Sequence, residues 1–403
     1  MKGLVIAPQP FFSPRGTPFS VYHRCLVMSK MGVELDLMTY GQGQDVDLPN
    51  VSIHRGPAFR WLGDVPIGPS FLKLFHDVFL FASTGWRLVV RRYDFVHAHE
   101  EGVFLAALLK PFFSYKLVYD MHSSLPQQLT NFEFTRSKAL IGLFERLESW
   151  ALRKADAVIT ISPALADRVR TQKIPGALFL IENSIFEEVQ TAPSSPSLET
   201  TEEDLPDLPA GRPTVGYVGT LETYQGIDIL LDAFALVRES IPEAFLLIVG
   251  GTPEQVEKYQ AMARRLDLTE ACLLTGRLSQ NMARRLLAEV DVVVSPRSRG
   301  TNTPLKIYEI LASGIPLVAT RIESHTQVLS RAICFLADPE PAALARAIVS
   351  ALDDPDKSLE IAQAARAFYE ENYSRAVYDS KIKALLAAIG CCAELPGSSR
   401  SPG

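Results

Sequence analysis

Residues 295–316 bring cations, hydroxyls and a carboxylate together in one short segment. Three cations, Arg297, Arg299 and Lys306, lie close together between a predicted strand and a predicted helix. Glu309 follows Lys306 by three positions, which places the two on one face of that helix. Cations suit phosphate oxygens, and a carboxylate suits paired ribose hydroxyls. The segment therefore predicts a nucleotide-diphosphate site; the alternative is an exposed Lys–Glu helix pair that contributes a few tenths of a kcal/mol.

Two further loops contain glycines where a strand leads into a helix. In the second half of the chain, Gly219 and Gly226 follow the apolar run at 215–218. Gly16 stands in a comparable turn after the first predicted strand. Glycine lets the backbone approach a ligand, and the free N–H groups of the following helix attract an anion. Each loop alone is a weak indication, because neither contains a G-x-G-x-x-G pattern, and a plain turn explains Gly16 equally well.

Three of the seven histidines lie at the ends of predicted strands. His97 and His99 end one strand, and His122 follows the next. Strand ends that face a cleft are where a catalytic group would stand. The phase of His97 with Phe95 favours a buried core position. His122, beside Ser123 in a polar turn, fits a functional and a structural position equally well.

Short β-branched runs alternate with helical patterns along the chain, as in parallel sheets with crossover helices. The predicted strands of the first half are residues 3–7, 33–39, 95–98, 117–120, 157–161 and 178–181. Those of the second half are 215–218, 245–249, 272–274, 290–294 and 316–319. Residues 190–213, rich in Ser, Thr, Pro and Glu, have the composition of a linker. The pattern predicts two Rossmann-like α/β domains, with ligands in a cleft between them.

The composition is that of a folded chain with room for two cores. The 403 residues are 47% hydrophobic, and domains usually contain about 100 to 200 residues. The 24 Gly, 27 Pro and 5 Cys exclude collagen, low-complexity disorder and a disulfide scaffold. A net charge of −6 argues against a nucleic-acid binder. Without a CxxC pair, a signal peptide or an apolar run of about 18 residues, the sequence predicts a cytoplasmic protein with no transmembrane helix.

Taken together, these segments resemble the retaining glycosyltransferases of family 4, which have the GT-B fold. The most specific part is residues 304–320, with Lys306, Glu309 and the run Pro-Leu-Val-Ala-Thr at its end. Weaker matches are His99, His122 and residues 155–162, 182–184, 218–219 and 249–251. The resemblance extends over nearly the whole chain.

The resemblance implies an α/β architecture of two Rossmann-like parallel-sheet domains that face a central cleft. Residues 1–190 would form the acceptor-binding domain, to which a C-terminal helix at 376–389 returns. Residues 191–213 would be the linker, 214–375 the nucleotide-sugar-binding domain and 390–403 a flexible tail.

The resemblance also implies roles for individual residues. Glu309 would hold the donor ribose, and His122 would lie beside the transferred sugar. Lys306 would stabilise the leaving diphosphate, so that His122, Lys306 and Glu309 form the implied catalytic set. The implied donor-binding residues are Gly16, Gly219, Thr220, Gln225, Arg297, Arg299, Thr301, Asn302, Thr303, Leu305, Lys306 and Glu309. His99 and Arg15 would face the acceptor.

Three features depart from the family pattern. Thr301 stands where the family has a second glutamate, eight positions before Glu309. Thr220 and Gln225 align with the arginine and lysine of the family's second-domain loop. Pro304 lacks the backbone N–H that other members offer. Because a diphosphate without cationic partners would be poorly held, we expect the three cations named above to supply the missing charge.

These observations predict a retaining transfer of a sugar from a nucleoside diphosphate sugar to a hydroxyl acceptor, in the synthesis of a polysaccharide, glycolipid or other glycoconjugate. We expect no cofactor and no metal, because no DxD triad lies in the donor loop. Two alternatives stay open: a sugar-nucleotide-binding partner subunit with weak or no turnover, and a sugar-nucleotide epimerase of similar architecture.

Residues 71–92 suggest a contact with the membrane. Apolar side chains including Trp86 stand there beside Arg87, Arg91 and Arg92, as in helices that lie on a lipid surface. Such a helix would bring the chain to a lipid-linked acceptor at the cytoplasmic membrane face. A helix that turns its apolar face to the core explains the same pattern, so both interpretations stay open.

Overall fold

The computed structural model describes residues 1–12, 16–44, 46–59, 63, 65, 71–126, 137–183 and 206–390. The chain divides into two compact units. The first unit comprises Met1–Ser195 and Arg375–Gly403, and the second unit comprises Pro196–Ser374. Arg15, residues 184–205, which include most of the expected linker, and the tail after Gly390 lie outside the described residues.

A seven-stranded parallel sheet forms the centre of the first unit. Its strands are β1 (Lys2–Ala7), β2 (Glu34–Thr39), β3 (Val51–Arg55), β4 (Phe95–His99), β5 (Lys116–Met121), β6 (Ala157–Thr160) and β7 (Ala177–Leu180). In space they follow the order β3-β2-β1-β4-β5-β6-β7. β4 and β6 are buried along their whole length, because helices cover both faces of the sheet.

The helices of the first unit before the linker are α1 (Gly16–Lys30), α2 (Phe71–Val90), α3 (Gly102–Leu109), α4 (Lys138–Lys154) and α5 (Pro163–Thr171). Successive residues of a strand point to opposite faces of the sheet. Val5 of β1 accordingly packs in one apolar cluster with α1, whereas Leu4 packs with α2, α3, α4 and α5 in another.

The second unit contains a six-stranded parallel sheet in the order β10-β9-β8-β11-β12-β13. Its strands are β8 (Thr214–Val218), β9 (Phe245–Val249), β10 (Cys272–Gly276), β11 (Val292–Ser295), β12 (Leu317–Thr320) and β13 (Phe335–Ala337). Its helices are α6 (Ile227–Ser240), α7 (Pro253–Arg265), α8 (Gln280–Leu287), α9 (Leu305–Ser313), α10 (Glu323–Thr326), α11 (Pro341–Asp353) and α12 (Pro355–Asn372).

The last helix, α13 (Arg375–Ala388), belongs to the first unit. Tyr378, Ile382 and Leu385 are buried in the same apolar cluster as α1 and Val5. The predicted fold, two Rossmann-like parallel sheets with a C-terminal helix on the first, is therefore confirmed.

Two edge strands were not predicted from the sequence. β3 lies at one end of the first sheet and shows only partial burial, so it lacks the continuous apolar run of the central strands. β13 ends the second sheet and has three residues. Among the helices of the described residues, none is both long and apolar enough to cross a bilayer.

Candidate functional site

The second unit brings two of the predicted loops together where its strand order reverses, between β8 and β11. Ligands of open α/β sheets bind at the carboxyl ends of the strands at such a reversal. The backbone N–H of Ser298, after β11, donates to the carbonyl of Tyr224, after β8, at 2.9 Å. Gly226 has a φ of 72°, and a Cβ there would lie 2.1 Å from the carbonyl oxygen of Pro296. Glycine is therefore required for the two loops to meet.

Lys306, in the first turn of α9, reaches across to the end of β8. Its Nζ donates to the carbonyl of Val218 at 3.3 Å and lies 4.2 Å from the centre of the Tyr217 ring. A Cβ at Gly219 would lie 3.4 Å from the same Nζ. Burial, and after it the charge of Arg297, lowers the pKa of Lys306 to about 7. An anion at this position would stabilise the ammonium form.

Arg297 supplies a second cation beside Lys306. Its guanidinium lies 5.0 Å from the centre of the Tyr224 ring, and Nη1 donates to the carbonyl of Asn302 at 3.0 Å. Burial lowers the pKa of Arg297. Its buried Nε has no hydrogen-bond partner among the residues that the structure describes. Since a buried donor without a partner is costly, an incoming acceptor would be favoured here.

The other predicted donor-binding residues of the second unit lie in the same two loops or at the start of α9. Gln225 donates from Nε2 to Oγ1 of Thr220 at 3.3 Å. Within the described part of the chain, the buried Oε1 of Gln225 and Oγ1 of Thr303 lack partners. Arg299, Thr220 and Thr301 are exposed, whereas Asn302 and Leu305 are partly buried. Several buried polar atoms of the site thus have no partner among the described residues and can form hydrogen bonds to a ligand.

Glu309 lies one turn along α9 from Lys306 and is partly buried. Burial raises the pKa of its carboxyl, and the charge of Arg284 opposes that shift. The alternative of an exposed Lys–Glu pair is wrong, because neither side chain is exposed and Lys306 donates to Val218.

A buried histidine that was not predicted from the sequence, His325, supports the Arg297 loop. Nε2 of His325 lies 3.0 Å from Oγ of Ser295, and its Nδ1 lies 2.8 Å from the carbonyl of Thr320. Burial lowers the pKa of His325 to about 4, so the ring is neutral and Ser295 donates to it. Thr320 in turn donates from Oγ1 to the carbonyl of Arg297 at 2.5 Å. Polar residues that end apolar strands were the signal for this network.

The first unit holds a different polar cluster, centred on Asp120 of β5. Parallel pairing of β4 with β5 sets His99 opposite Asp120. Nε2 of His97 donates to Oδ2 of Asp120 at 2.9 Å, and Nε2 of His122 lies 3.3 Å from Oδ1. The rings of His97 and His99 stack with their centres 4.6 Å apart. The structure thus joins the three histidines of the strand ends through one carboxylate.

Arg24 of α1 balances the charge of Asp120. Its Nε donates to Oδ2 of Asp120 at 3.0 Å, and both side chains are fully buried. The remaining guanidinium donors bond Tyr378 Oη at 2.5 Å and the carbonyl of Ile181 at 2.7 Å. Burial opposes ionisation of Asp120, but Arg24 and the neighbouring histidines outweigh it and hold its pKa well below the ordinary range. Neither Arg24 nor Asp120 was predicted from the sequence to be functional, although both interrupt apolar runs.

The Asp120 cluster contains three side chains of the types that bind metal ions. One ligand atom each from His97, His99 and Asp120 lie within 4.8 Å of one another. Oδ2 of Asp120 already accepts from Arg24 and His97, however. A metal ion there would face the guanidinium of Arg24 and lose part of the carboxylate. The donor set therefore fits an ion-paired network better than a metal site.

His122 directly follows β5 and is 3% exposed. Its Nε2 lies 3.2 Å from Nδ1 of the fully buried His99. Glu148 fixes the following turn by accepting from Oγ of Ser124 at 3.2 Å and from the backbone N–H of Leu125 at 3.0 Å. The contact of the ring with His99 and the hydrogen bonds of the following turn thus fix its position.

Gly16, the predicted donor-binding residue of the first unit, is the first residue of α1.

Two family models match the chain, one in each unit. The model of the glycosyl transferases group 1 matches residues 200–368. The model of glycosyltransferase family 4 matches residues 14–188.

Curated proteins with similar sequences include glycogen synthase of Mycobacterium tuberculosis, 28% identical over 283 residues. That alignment covers 68% of this chain and 64% of the synthase, so the chain spans less than two thirds of this relative's length. The phosphatidyl-myo-inositol mannosyltransferase of Mycobacterium leprae is 25% identical, with 81% of this chain and 80% of the relative covered.

Solved structures of the same fold include the sucrose-phosphate synthase of Thermosynechococcus elongatus. It superposes with a TM-score of 0.73 at 20% identity, over 97% of this chain and 100% of the synthase. Anabaena HepE in complex with UDP gives a TM-score of 0.68 at 18% identity, over 96% of this chain and 100% of HepE.

Proposed function

Because this chain belongs to the group 1, family 4-type glycosyltransferases, we propose that it transfers a sugar from a nucleoside diphosphate sugar to a hydroxyl acceptor, with retention at the anomeric carbon. The observation that carries the proposal is the pair of partly buried cations, Lys306 and Arg297, at the strand-order reversal of the second unit. Neither has a carboxylate partner among the described residues. Two partly buried cations without a carboxylate partner favour the binding of an anionic ligand.

The diphosphate of the donor is the anion that binds to these two cations. Its oxygens accept from Nζ of Lys306 and from Nε of Arg297, and exposed Arg299 adds charge at the rim. Thr220 and Gln225 provide neutral hydrogen-bond donors in the same loop. The structure of HepE, which has a similar fold, was solved in complex with UDP, and this supports a nucleoside diphosphate as the ligand class.

Glu309 binds the ribose of the donor. A carboxylate accepts from two adjacent hydroxyls, and α9 presents Glu309 one turn beyond Lys306. The spacing of about 5 Å between neighbouring side chains on a helix suits the step from a diphosphate to its ribose.

The reaction needs stabilisation of the leaving group above all. As the bond between the anomeric carbon and the diphosphate breaks, negative charge grows on the diphosphate oxygens, next to Lys306 and Arg297. Fixed cations in a partly dry site stabilise that charge more than they stabilise the intact donor. The acceptor hydroxyl attacks from the face that the diphosphate leaves, its proton passes to the diphosphate, and retention results. The two cations supply the charge that a metal supplies elsewhere, so the proposed reaction uses neither metal nor cofactor.

For the first unit we propose acceptor binding, with Arg15 on the acceptor side and His122 beside the transferred sugar. His99 is fully buried, so its place on the acceptor side is an indirect one, behind the ring of His122. Support comes from the rigid mounting of His122 at the end of β5. Similar proteins include a glycogen synthase, a phosphatidyl-myo-inositol mannosyltransferase and a 2-deoxystreptamine N-acetyl-D-glucosaminyltransferase. These names support a polysaccharide, glycolipid or other glycoconjugate as the proposed acceptor class. Gly16 begins α1, whose N-terminal backbone N–H groups favour an anion.

A panel of nucleotide sugars tests the proposal. The full chain is incubated with each donor, and released nucleoside diphosphate and sugar transfer are measured. We expect one donor class to turn over, and Lys306→Met to abolish most of that turnover. Lys357→Met is the matched control, because Lys357 also lies in the first turn of a helix and is exposed.

The outcomes separate the alternatives. Binding without hydrolysis or transfer would favour a partner subunit, which the neutral residues Thr220, Gln225 and Thr301 would explain. A donor whose sugar changes configuration at another carbon would favour an epimerase. Absence of donor binding across the panel would contradict the proposal.

A further inference from the structure

Helix α2 has one face that packs against the first sheet. His76, Leu80, Thr84 and Leu88, each four residues apart, are buried. Leu80 and Leu88 belong to the apolar cluster under the sheet, and the ring of His76 lies 5.0 Å from that of Tyr40. The interpretation of a core-facing helix is therefore correct for this face.

The opposite face of α2 is apolar as well, although it is exposed. Within residues 72–90, every exposed side chain is apolar; these residues are Leu74, Phe75, Val78, Phe81, Ala82, Trp86, Val89 and Val90. Val78, Trp86 and Val89 are 64%, 67% and 67% exposed. A helix that faces water normally shows charged residues on that side. The face defined by these eight residues is called the apolar row.

The charged residues of α2 are directed to other parts of the first unit. Asp77 accepts from Oη of Tyr40 at 2.7 Å. Lys73 lies 3.6 Å from a carboxylate oxygen of Glu101. Arg87 lies against the ring of His54. The polar side chains thus tie the helix to the protein and leave the apolar row without a charge.

We propose that the apolar row lies on a lipid bilayer. A helix of 20 residues is about 30 Å long and about 10 Å wide, so the row offers roughly 300 Å². A stable protein interface needs about 800 Å² per partner, which a second copy of this chain would not obtain from one convex helix. An interfacial helix requires only an apolar face buried to a shallow depth, with cations close to the headgroups.

The cations at the end of α2 complement an anionic bilayer, with one correction to the sequence analysis. Nη1 of Arg91 lies 2.9 Å from Oδ2 of Asp36, so the charge of Arg91 is paired within the protein. Arg92, directly after it, is exposed. Residues 1–195 and 375–403 together carry 24 Lys and Arg against 20 Asp and Glu, so the net charge of this unit is not one that acidic lipids repel. Apolar insertion is therefore the main contribution, and Arg92 adds a smaller electrostatic one.

Vesicle co-sedimentation of the full chain tests the proposal, independently of sugar transfer. The probes are vesicles of phosphatidylcholine alone and of phosphatidylcholine with phosphatidylglycerol. We expect binding to both, and more to the anionic vesicles. The double variant Val78→Glu, Trp86→Glu should lower partitioning by about tenfold or more. Leu359→Glu, at an apolar position on α12 that is 54% exposed, should leave it unchanged.

Arg92→Glu should remove only the preference for anionic vesicles. Far-UV circular dichroism and the unfolding temperature establish that the variants are folded. No sedimentation with either vesicle, or equal sedimentation of wild type and the double variant, would overturn the proposal. A dimer in size-exclusion chromatography that the double variant abolishes would overturn it too, in favour of a second copy.

Discussion

Lys306 makes the affinity for the donor depend on pH, and the direction follows from its surroundings. Its ammonium is held against the carbonyl of Val218 and the ring of Tyr217, with the charge of Arg297 near it. Burial and Arg297 lower its pKa from 10.5 to about 7. A bound diphosphate favours the ammonium form and raises that pKa again.

Proton uptake then accompanies binding above pH 7. The affinity for a nucleoside diphosphate should be full below about pH 7 and fall as the pH rises, by at most about tenfold per pH unit. Lys306→Met keeps an unbranched side chain and removes the ammonium that lies over the Tyr217 ring. Because a charge-assisted hydrogen bond contributes about 1.5 to 3 kcal/mol, the variant should bind about 10 to 150 times more weakly and lose the pH dependence.

Isothermal titration calorimetry between pH 6 and pH 9 measures this effect, with the diphosphate of whichever donor turns over. Lys357→Met should retain the wild-type affinity and slope. The stability of the free protein has the opposite sign: the folded pKa of Lys306 lies below the unfolded one, so its contribution improves as the pH rises from about 7 to 10.5. An unchanged slope in Lys306→Met would refute the assignment of this lysine to the diphosphate.

Three further predictions concern single side chains. Glu309→Gln should weaken binding of the nucleoside diphosphate by about tenfold while binding of inorganic diphosphate stays the same, as calorimetry would show; equal losses for both would contradict ribose binding. Asp120→Asn should lower the free energy of unfolding by about 3 to 5 kcal/mol, because it leaves a buried guanidinium unpaired. Since the folded pKa of Asp120 is depressed, the wild type loses that contribution only in acid, as the pH falls through the folded pKa, and the variant should show no such loss in urea titrations. Gly226→Ala should cost about 1 to 3 kcal/mol, because its Cβ would lie 2.1 Å from a carbonyl oxygen; Gly142→Ala in α4, where a Cβ meets nothing within 4 Å, is the control and should not destabilise.

Much of the fold follows from local sequence. Parallel strands buried on both faces need continuous apolar runs, and β9, with Phe-Leu-Leu-Ile-Val, shows one that can be recognised directly. Edge strands are half covered and need no such run, which is why β3 escaped prediction. The apolar character of α2 was visible in the sequence too, but two interpretations stayed open. The structure shows that both faces of this helix are apolar and that one of them is exposed.

What the sequence alone determined was the order of strands and helices and the residue types at their ends. Periodicity and composition act over a few neighbouring residues, so they reach this far and no further. Only the tertiary structure decided which side chains meet: Lys306 with Val218, 88 positions apart, and Arg24 with Asp120, 96 positions apart. A pKa of about 7 at Lys306 depends on burial and on the charge of Arg297, and both arise from the packing of loops after β8 and β11. The chemistry of the site therefore depends on how the carboxyl ends of β8 and β11 are brought together, whereas the residue types that supply it are already present in the sequence.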